Sequence, residues 1–310
     1  MERDGVSGYG CLHPWEELGD STIPELLEEL KEGRISRQIR SMLDCVEIDR
    51  EARAKGVSLF EGLEIPDSHA TIVGGSERIE QAVEEGFTTV KLKAGRNTAD
   101  EIQLVKDMHA AFPELRWRFD FNGVLGAGQF EKFVHDLGDS VREQVDFLED
   151  PVRLGDPSWE TVRDRYAIKT AVDRGIAGAS GEFDVSIIKP AINNLERNCD
   201  AAQLNGRNVV VTSYMDHPIG QCFAAYCAGV LNKKYLGLID PICGLMTHEL
   251  YEPTAFSERL GKKTPKWQYG QPQDTRSRIG QHEQQKSPTN TQGIGLGFND
   301  LLEELDWEKL

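Results

Sequence analysis

Residues 115–123 read LRWRFDFNG, and the architecture of the chain turns on how they are read. Leu115, Trp117 and Phe119 alternate with Arg116 and Arg118, the period-two pattern of a β-strand. Asp120 falls where that strand runs out, and Phe121, Asn122 and Gly123 open a turn. One acid at a strand end carries little information. The repetition around it carries more. KLKAG (91–95) closes a strand upstream, and FLEDP (147–151), TAVDRG (170–175) and SIIKP (186–190) close strands downstream. Each of these strands ends in Lys, Asp or Glu.

Working outward, strands are expected at 69–75, 87–93, 145–150, 167–173, 185–189, 208–213 and 235–240, the last being YLGLID. Helical patterns fit between most of them. Ser76 is expected to cap a helix that stops at Gly86, and Thr98 with Glu101 reads as a capping box. Phe130, Phe133, Val134 and Leu137 follow helical spacing, and Gly138 ends that run. Before the periodic region, Pro24–Glu32 reads as a short helix, and Ile39, Met42, Leu43 and Val46 mark a longer one ending near Gly56. Eight strands joined by helix-length connections predict an α/β fold, a (β/α)8 TIM barrel. A doubly wound sheet is the competitor, but no GxGxxG follows the first strand. A barrel opens every strand C-terminus onto one face, which brings Lys91, Lys93, Asp120, Glu149, Asp173 and Lys189 to one mouth.

A net charge of −17 argues against nucleic-acid binding, which needs a basic face. No apolar run is long enough to span a membrane, and no apolar region follows MERDGVSGYG as a signal peptide would require. The six cysteines are scattered with no CxxC pair, which reads as reduced thiols of a cytoplasmic enzyme rather than a zinc site. Residues 262–292 are polar and read as a solvated excursion before a C-terminal amphipathic helix.

Asp120, Glu149 and Asp173 on neighbouring strand ends would repel one another unless a cation sat among them. An all-oxygen set suits a hard divalent ion, magnesium, with manganese as the alternative. A lysine beside such a cation and a second ammonium has its pKa pushed down and can act as a base. The class of chemistry is proton abstraction next to the carboxylate of a small anionic substrate, with the metal stabilising the resulting enediolate. Taken singly, each residue has a plainer reading: Lys91 as a solvated lysine, Asn122 as a turn residue, Asp150 as a cap beside Pro151. The ordered set favours the functional one.

KLK (91–93), DFN (120–122), LEDP (148–151), AVD (171–173) and IIKP (187–190) resemble the ordered motifs of the enolase superfamily in its muconate-lactonizing branch, and within it the o-succinylbenzoate synthases. VTSYMDHPIG (211–220) is similar to that family's SS-x-x-E-S-x-x-G segment. The resemblance implies that Asp120, Glu149 and Asp173 bind magnesium, Lys93 removes the α-proton, Lys91 tunes it and Lys189 stabilises the enediolate. It also implies that Asn122 supports the metal site and Ser213 contacts substrate. The implied reaction is syn dehydration of a succinyl-bearing hydroxycyclohexadiene carboxylate, on the way to menaquinone. The implied organisation is a shortened α+β cap in 1–35, a barrel in 36–261, and the polar excursion with its helix in 262–310.

This chain departs from the pattern in four places: Arg174 where the family usually has Glu, Asp216 in place of a Glu, His217-Pro218 in place of a small pair, and Cys11 where an acid is common. Other readings on the same scaffold are an N-succinyl amino acid racemase, which also needs lysines on both faces, and a non-catalytic binding barrel. A dipeptide epimerase would show Asp-x-Asp after the eighth strand, where LIDP has Asp240 alone.

Overall fold

The computed structural model describes residues 1–176, 179, 181–270 and 293–309. The chain opens with an antiparallel hairpin, β1 (Glu2–Arg3) and β2 (Val6–Ser7). Helix α1 (Ile23–Lys31) follows, its first turn closed by a capping box between Thr22 and Glu25. Helix α2 (Arg37–Lys55) starts on the Ser36 hydroxyl and stops at Gly56, whose φ of 66° is open to glycine.

The barrel then runs β3 (Asp67–Ser68), β4 (Ala70–Ile72), α3 (Ser76–Glu84), β5 (Thr89–Lys93), α4 (Thr98–Ala111) and β6 (Arg116–Asp120). It continues with α5 (Ala127–Leu137), α6 (Asp139–Arg142), β7 (Val145–Glu149), α7 (Ser158–Tyr166), β8 (Lys169–Val172) and β9 (Val185–Ile188). Then come α8 (Leu195–Leu204), β10 (Asn208–Val211), α9 (Pro218–Lys234), β11 (Ile242–Cys243), α10 (Ala255–Leu260) and α11 (Asn299–Glu303).

Strands β4 to β10 form one parallel sheet in sequence order. Its two edges meet through a single segment. β11 pairs in parallel with β3, which leads directly into β4. The same segment bonds β10: Val209 N–H donates to Leu238 O, and Gly244 N–H donates to Val211 O. The fold is a (β/α)8-type barrel with a small N-terminal domain.

The eighth strand is not where the sequence places it. YLGLID forms a turn with Gly237 at φ 75°, Leu236 points to solvent, and only Ile239 bridges β10. The strand itself begins at Ile242, whose N–H is taken by the Asp240 carboxylate at 2.8 Å. An apolar run reads as a strand whether or not its backbone is free to pair. Two caps also shift. Gly75, not Ser76, precedes α3. Asn97 rather than Thr98 caps α4, and Glu101 reaches back to the N–H groups of Gly95, Arg96 and Asn97.

The alternation in LRWRFDFNG holds, with a difference in what its polar face meets. Trp117, Phe119 and Phe121 face outward against α5, where Phe121 meets Phe133 edge-on at 5.0 Å. Arg118 points into the barrel and is 1% exposed. It is buried yet fully engaged, by Asp146 (2.7 Å), Asp240 (3.1 Å), the Ile242 carbonyl (2.7 Å) and the face of Phe147 (4.6 Å). Beside it Phe147, its register partner on β7, clusters with Ala171, Val185, Ile187 and Val210 as an apolar plug. The mouth lies beyond that plug.

The N-terminal segment docks through one buried carboxylate. Asp49 accepts from Tyr9 N–H (2.9 Å), Arg53 Nε (2.6 Å) and Leu296 N–H (2.6 Å), tying the two chain ends to α2. Gly8 permits the close approach, since a Cβ there would stand 2.2 Å from the Val46 carbonyl oxygen. Of the segment expected to be solvated, 271–292 lies outside the described residues. Trp267 and Tyr269 just before it are buried, Trp267 against Phe60 and Tyr269 stacked on Phe298. The six cysteines are free, and all but Cys11 are buried. No described helix is long and apolar enough to cross a membrane.

Candidate active site

Parallel register sets the strand ends side by side: Lys93 pairs with Asp120, and Asp120 with Glu149. Side chains two residues apart share a face, so Lys91, Lys93, Asp120, Glu149, Asp173 and Lys189 all project from the inner face or the loop just past it. A cavity of about 420 Å³ opens there, lined by Lys91, Lys93, Asp120, Asn122, Asp173, Lys189 and Ser213. Glu149 lies beneath it, 1% exposed.

The charges are interleaved. Lys91 Nζ is 2.7 Å from Glu149 Oε1 and 3.2 Å from Asp120 Oδ2. Lys189 Nζ donates to Asp173 Oδ2. Lys93 faces the cavity and, among the described residues, makes no ion pair. Burial pushes Glu149 up to about 8, with Asp120 and Asp173 adding to the shift and Lys91 opposing it. Burial works against the charge of Lys91 too, but Asp120, Glu149 and Asp173 outweigh it and hold the lysine protonated. Its close neighbours are carboxylates, which favour the charged form. Asp120 is likewise opposed by burial, yet Lys91, Lys93 and Lys189 keep its carboxyl below the usual range.

A second layer orients these groups. Asn122 and Asp150 both stand in the left-handed region, at φ 52° and 41°. The Asn122 N–H donates to Asp120 Oδ1 at 3.2 Å. Asp150 accepts from the Arg174 N–H at 2.9 Å and the Asp173 N–H at 3.4 Å, and burial raises its carboxyl to about 6. Ser213 Oγ bonds Thr247 Oγ1 at 2.8 Å.

Several wall residues carry no motif. His69 and Thr71 line the cavity from β4 and the residue before it, and their period-two spacing was the available signal. Leu18 and Asp20 reach it from the N-terminal segment. That segment is clipped to the loop after β10: Trp15 Nε1 donates to Tyr214 O, and Tyr214 Oη donates to Asp20 Oδ2, both at 2.8 Å. The Tyr214 ring faces Lys189 Nζ, 5.8 Å from its centroid. No local pattern announces contacts between residues so far apart in sequence.

Asp240 is not at the mouth. It pairs with Arg118 ahead of β11, and the segment past that strand is GLMTHEL, which has no Asp-x-Asp. These residues, rather than LIDP, tell against a dipeptide epimerase.

Among the described residues, no three acidic, His or Cys side chains converge closely enough to clasp an ion. The donor set nevertheless suits a hard divalent cation. Among the described residues Glu149 Oε2 is buried with no hydrogen-bond partner, and an unsatisfied carboxylate oxygen beside two further carboxylates calls for positive charge.

Comparison with known proteins bears on this geometry. The family model described as "O-succinylbenzoate synthase, N-terminal domain" matches residues 1–52, and that described as "Enolase C-terminal domain-like" matches 76–194. An o-succinylbenzoate synthase of Bdellovibrio bacteriovorus is 31% identical over 316 residues, which cover 99% of this chain and 88% of that protein. The chain belongs to the o-succinylbenzoate synthase family of the enolase superfamily. It is an enzyme, a lyase, which sets aside the non-catalytic reading. An L-Ala-D/L-Glu epimerase of Francisella tularensis subsp. novicida is 30% identical over 126 residues, 37% of this chain and 35% of that one. In fold, the chain matches a dipeptide epimerase from Enterococcus faecalis V583 with a TM-score of 0.66 at 18% identity, covering 81% of this chain and 84% of that one. A mandelate racemase/muconate lactonizing enzyme from Roseiflexus sp. also matches, with a TM-score of 0.66 at 18% identity over 81% and 83% of the two chains. In this o-succinylbenzoate synthase family member, the stretch matched by the second model, 76–194, contains Lys91, Lys93, Asp120, Glu149, Asp173 and Lys189.

Proposed function

We propose that the enzyme is a magnesium-dependent o-succinylbenzoate synthase of the cytoplasm. It dehydrates the succinyl-bearing hydroxycyclohexadiene carboxylate for menaquinone synthesis. The observation that carries this reading is the pair of lysines, Lys93 on β5 and Lys189 after β9, four strands apart in the sheet, facing one cavity with the carboxylates between them. Asp120, Glu149 and Asp173 would hold the magnesium ion, or manganese in its place. When bound, that ion supplies positive charge to the substrate carboxylate and makes the neighbouring C–H acidic.

Lys93, the cavity-facing lysine without an ion pair, takes the α-proton. Lys189, from the other side, stabilises the negative charge that develops on the enediolate. Lys91, locked between Asp120 and Glu149, tunes the field around Lys93 and stays protonated. In a syn elimination one group on one face can serve twice. The proton that Lys93 has taken is returned to the departing hydroxyl, which leaves as water as the ring becomes aromatic. Asn122 steadies Asp120, and the Ser213 hydroxyl, fixed by Thr247, meets the substrate.

The test is turnover of the cyclohexadiene substrate, followed as loss of diene ultraviolet absorbance, with magnesium and again with EDTA. Metal-dependent turnover that disappears in a folded Lys93→Ala variant is expected. Turnover unaffected by EDTA, or retained in that variant, would overturn the assignment. The same lysine pair could racemise N-succinyl amino acids, a reading also favoured by the epimerase neighbours. Exchange of the α-proton for deuterium in heavy water, without diene turnover, would select it.

A further inference from the structure

We propose that Arg174 binds the second carboxylate of the substrate, the one on its succinyl arm. The inference rests on the dicarboxylate substrate class proposed above. Such a substrate brings two anionic groups into one cavity, and the carboxylate–lysine centre serves only the one next to the reacting carbon. The other is best met by a second cation, whose charge-assisted hydrogen bonds are stronger than those of neutral donors.

The cavity wall offers few. Lys91 lies between Asp120 and Glu149, and Lys189 serves the enediolate in the proposed reaction. Lys93 carries the proton in the proposed reaction. His69 is kept neutral by its burial and by Arg118 and Lys91. That leaves Arg174, which is exposed and lines the same cavity. Its guanidinium donates Nη2–H to Asn122 Oδ1 at 3.1 Å. That acceptor carries no charge, so it orients the group without neutralising it. Among the described residues Arg174 makes no ion pair. Its remaining N–H donors form the fork that matches both oxygens of a carboxylate.

The backbone beneath is fixed. Asp150 pins the N–H groups of Asp173 and Arg174, so the guanidinium hangs from a held turn rather than a loose one. The sign of the residue matters as much as its place. The related pattern usually has Glu at this position, which would repel an anionic arm. Here Arg174 attracts it from the cavity wall.

The experiment is calorimetric titration of the magnesium-loaded wild type, Arg174→Met and Arg174→Lys, with o-succinylbenzoate and with the methyl ester of its side-chain acid. The wild type is expected to prefer the diacid by about tenfold to a hundredfold, the range of a charge-assisted fork. In Arg174→Met that preference should collapse towards unity through lost affinity for the diacid, and Arg174→Lys should keep part of it. A merely structural role would weaken both ligands alike, and that result, or an unchanged preference in Arg174→Met, overturns the inference. A wild type that discriminates as expected but fails to turn over the diene would refute the synthase reading and leave the arginine site standing. Binding of neither ligand by the wild type would refute both.

Discussion

Asp216→Asn is expected to stabilise the enzyme at neutral and alkaline pH while changing little in acid. Asp216 is 7% exposed, its Oδ1 meets no hydrogen-bond partner, and among the described residues it makes no ion pair. Burial pushes its carboxyl from 3.8 to about 7, and the backbone hydrogen bonds it has at Asp216 and Tyr214 offset only part of that. The adjacent thiols bring no relief, because burial raises Cys11 and Cys222 as well and keeps them neutral. The sign follows from proton counts. Between 3.8 and about 7 the folded protein holds a proton that the unfolded chain has lost, so stability falls as pH rises. The slope is at most about 1.4 kcal/mol per pH unit, and the full effect above neutrality is about 4 kcal/mol. Asn has nearly the same shape and no charge to bury. Urea unfolding of both proteins at several pH values between 4 and 8 (roughly the window set by the shift) would measure it. The gap in stability should widen with pH and then level off. Other buried acids titrate in this range, but they are common to both proteins and cancel in the difference. Parallel stability curves would refute the reasoning, since they would mean that Asp216 is solvated or paired when charged.

Asp49→Ala should cost about 3–5 kcal/mol in the same unfolding assay, because it strips the charged partner from the half-buried Arg53 and leaves the Tyr9 and Leu296 N–H groups unpaired. A loss under about 1 kcal/mol would show that water replaces the carboxylate. Tyr214→Phe removes the hydroxyl that holds Asp20 and should speed amide hydrogen exchange in residues 13–20 selectively; unchanged exchange there would mean that the Trp15 bond alone holds the segment. Asp120→Ala and Glu149→Ala should each weaken magnesium binding measured by calorimetry, and unchanged affinity would remove that residue from the ligand set.

How far the sequence could be read depended on whether the deciding force was local. The strands from β4 to β10 were legible because side-chain alternation and the helix stops after it are written in neighbouring residues. Their C-terminal Lys, Asp and Glu were legible for the same reason, and one topological rule, that a barrel opens all such ends on one face, was enough to predict that they meet. The eighth strand was misread because YLGLID has the composition of a strand, whereas its pairing depends on Asp240, which is held by Arg118 from across the barrel. Arg118 itself shows the limit of an alternation argument. Period two separates the faces of a strand but does not say which one meets solvent, and on β6 it is the polar face, with Arg118, that points into the barrel. The clip from Trp15 and Asp20 to Tyr214 had no local signal at all. It joins a turn in the first 20 residues to a loop almost 200 residues later, where the Tyr214 ring lies against Lys189. The carboxylate–lysine cluster was therefore the readable part of the candidate site, and the rest of the cavity wall was not. Arg174 belongs to both. It was visible as a departure from a motif, but its meaning as a cation without an ion pair among the described residues appeared only once its neighbours were placed.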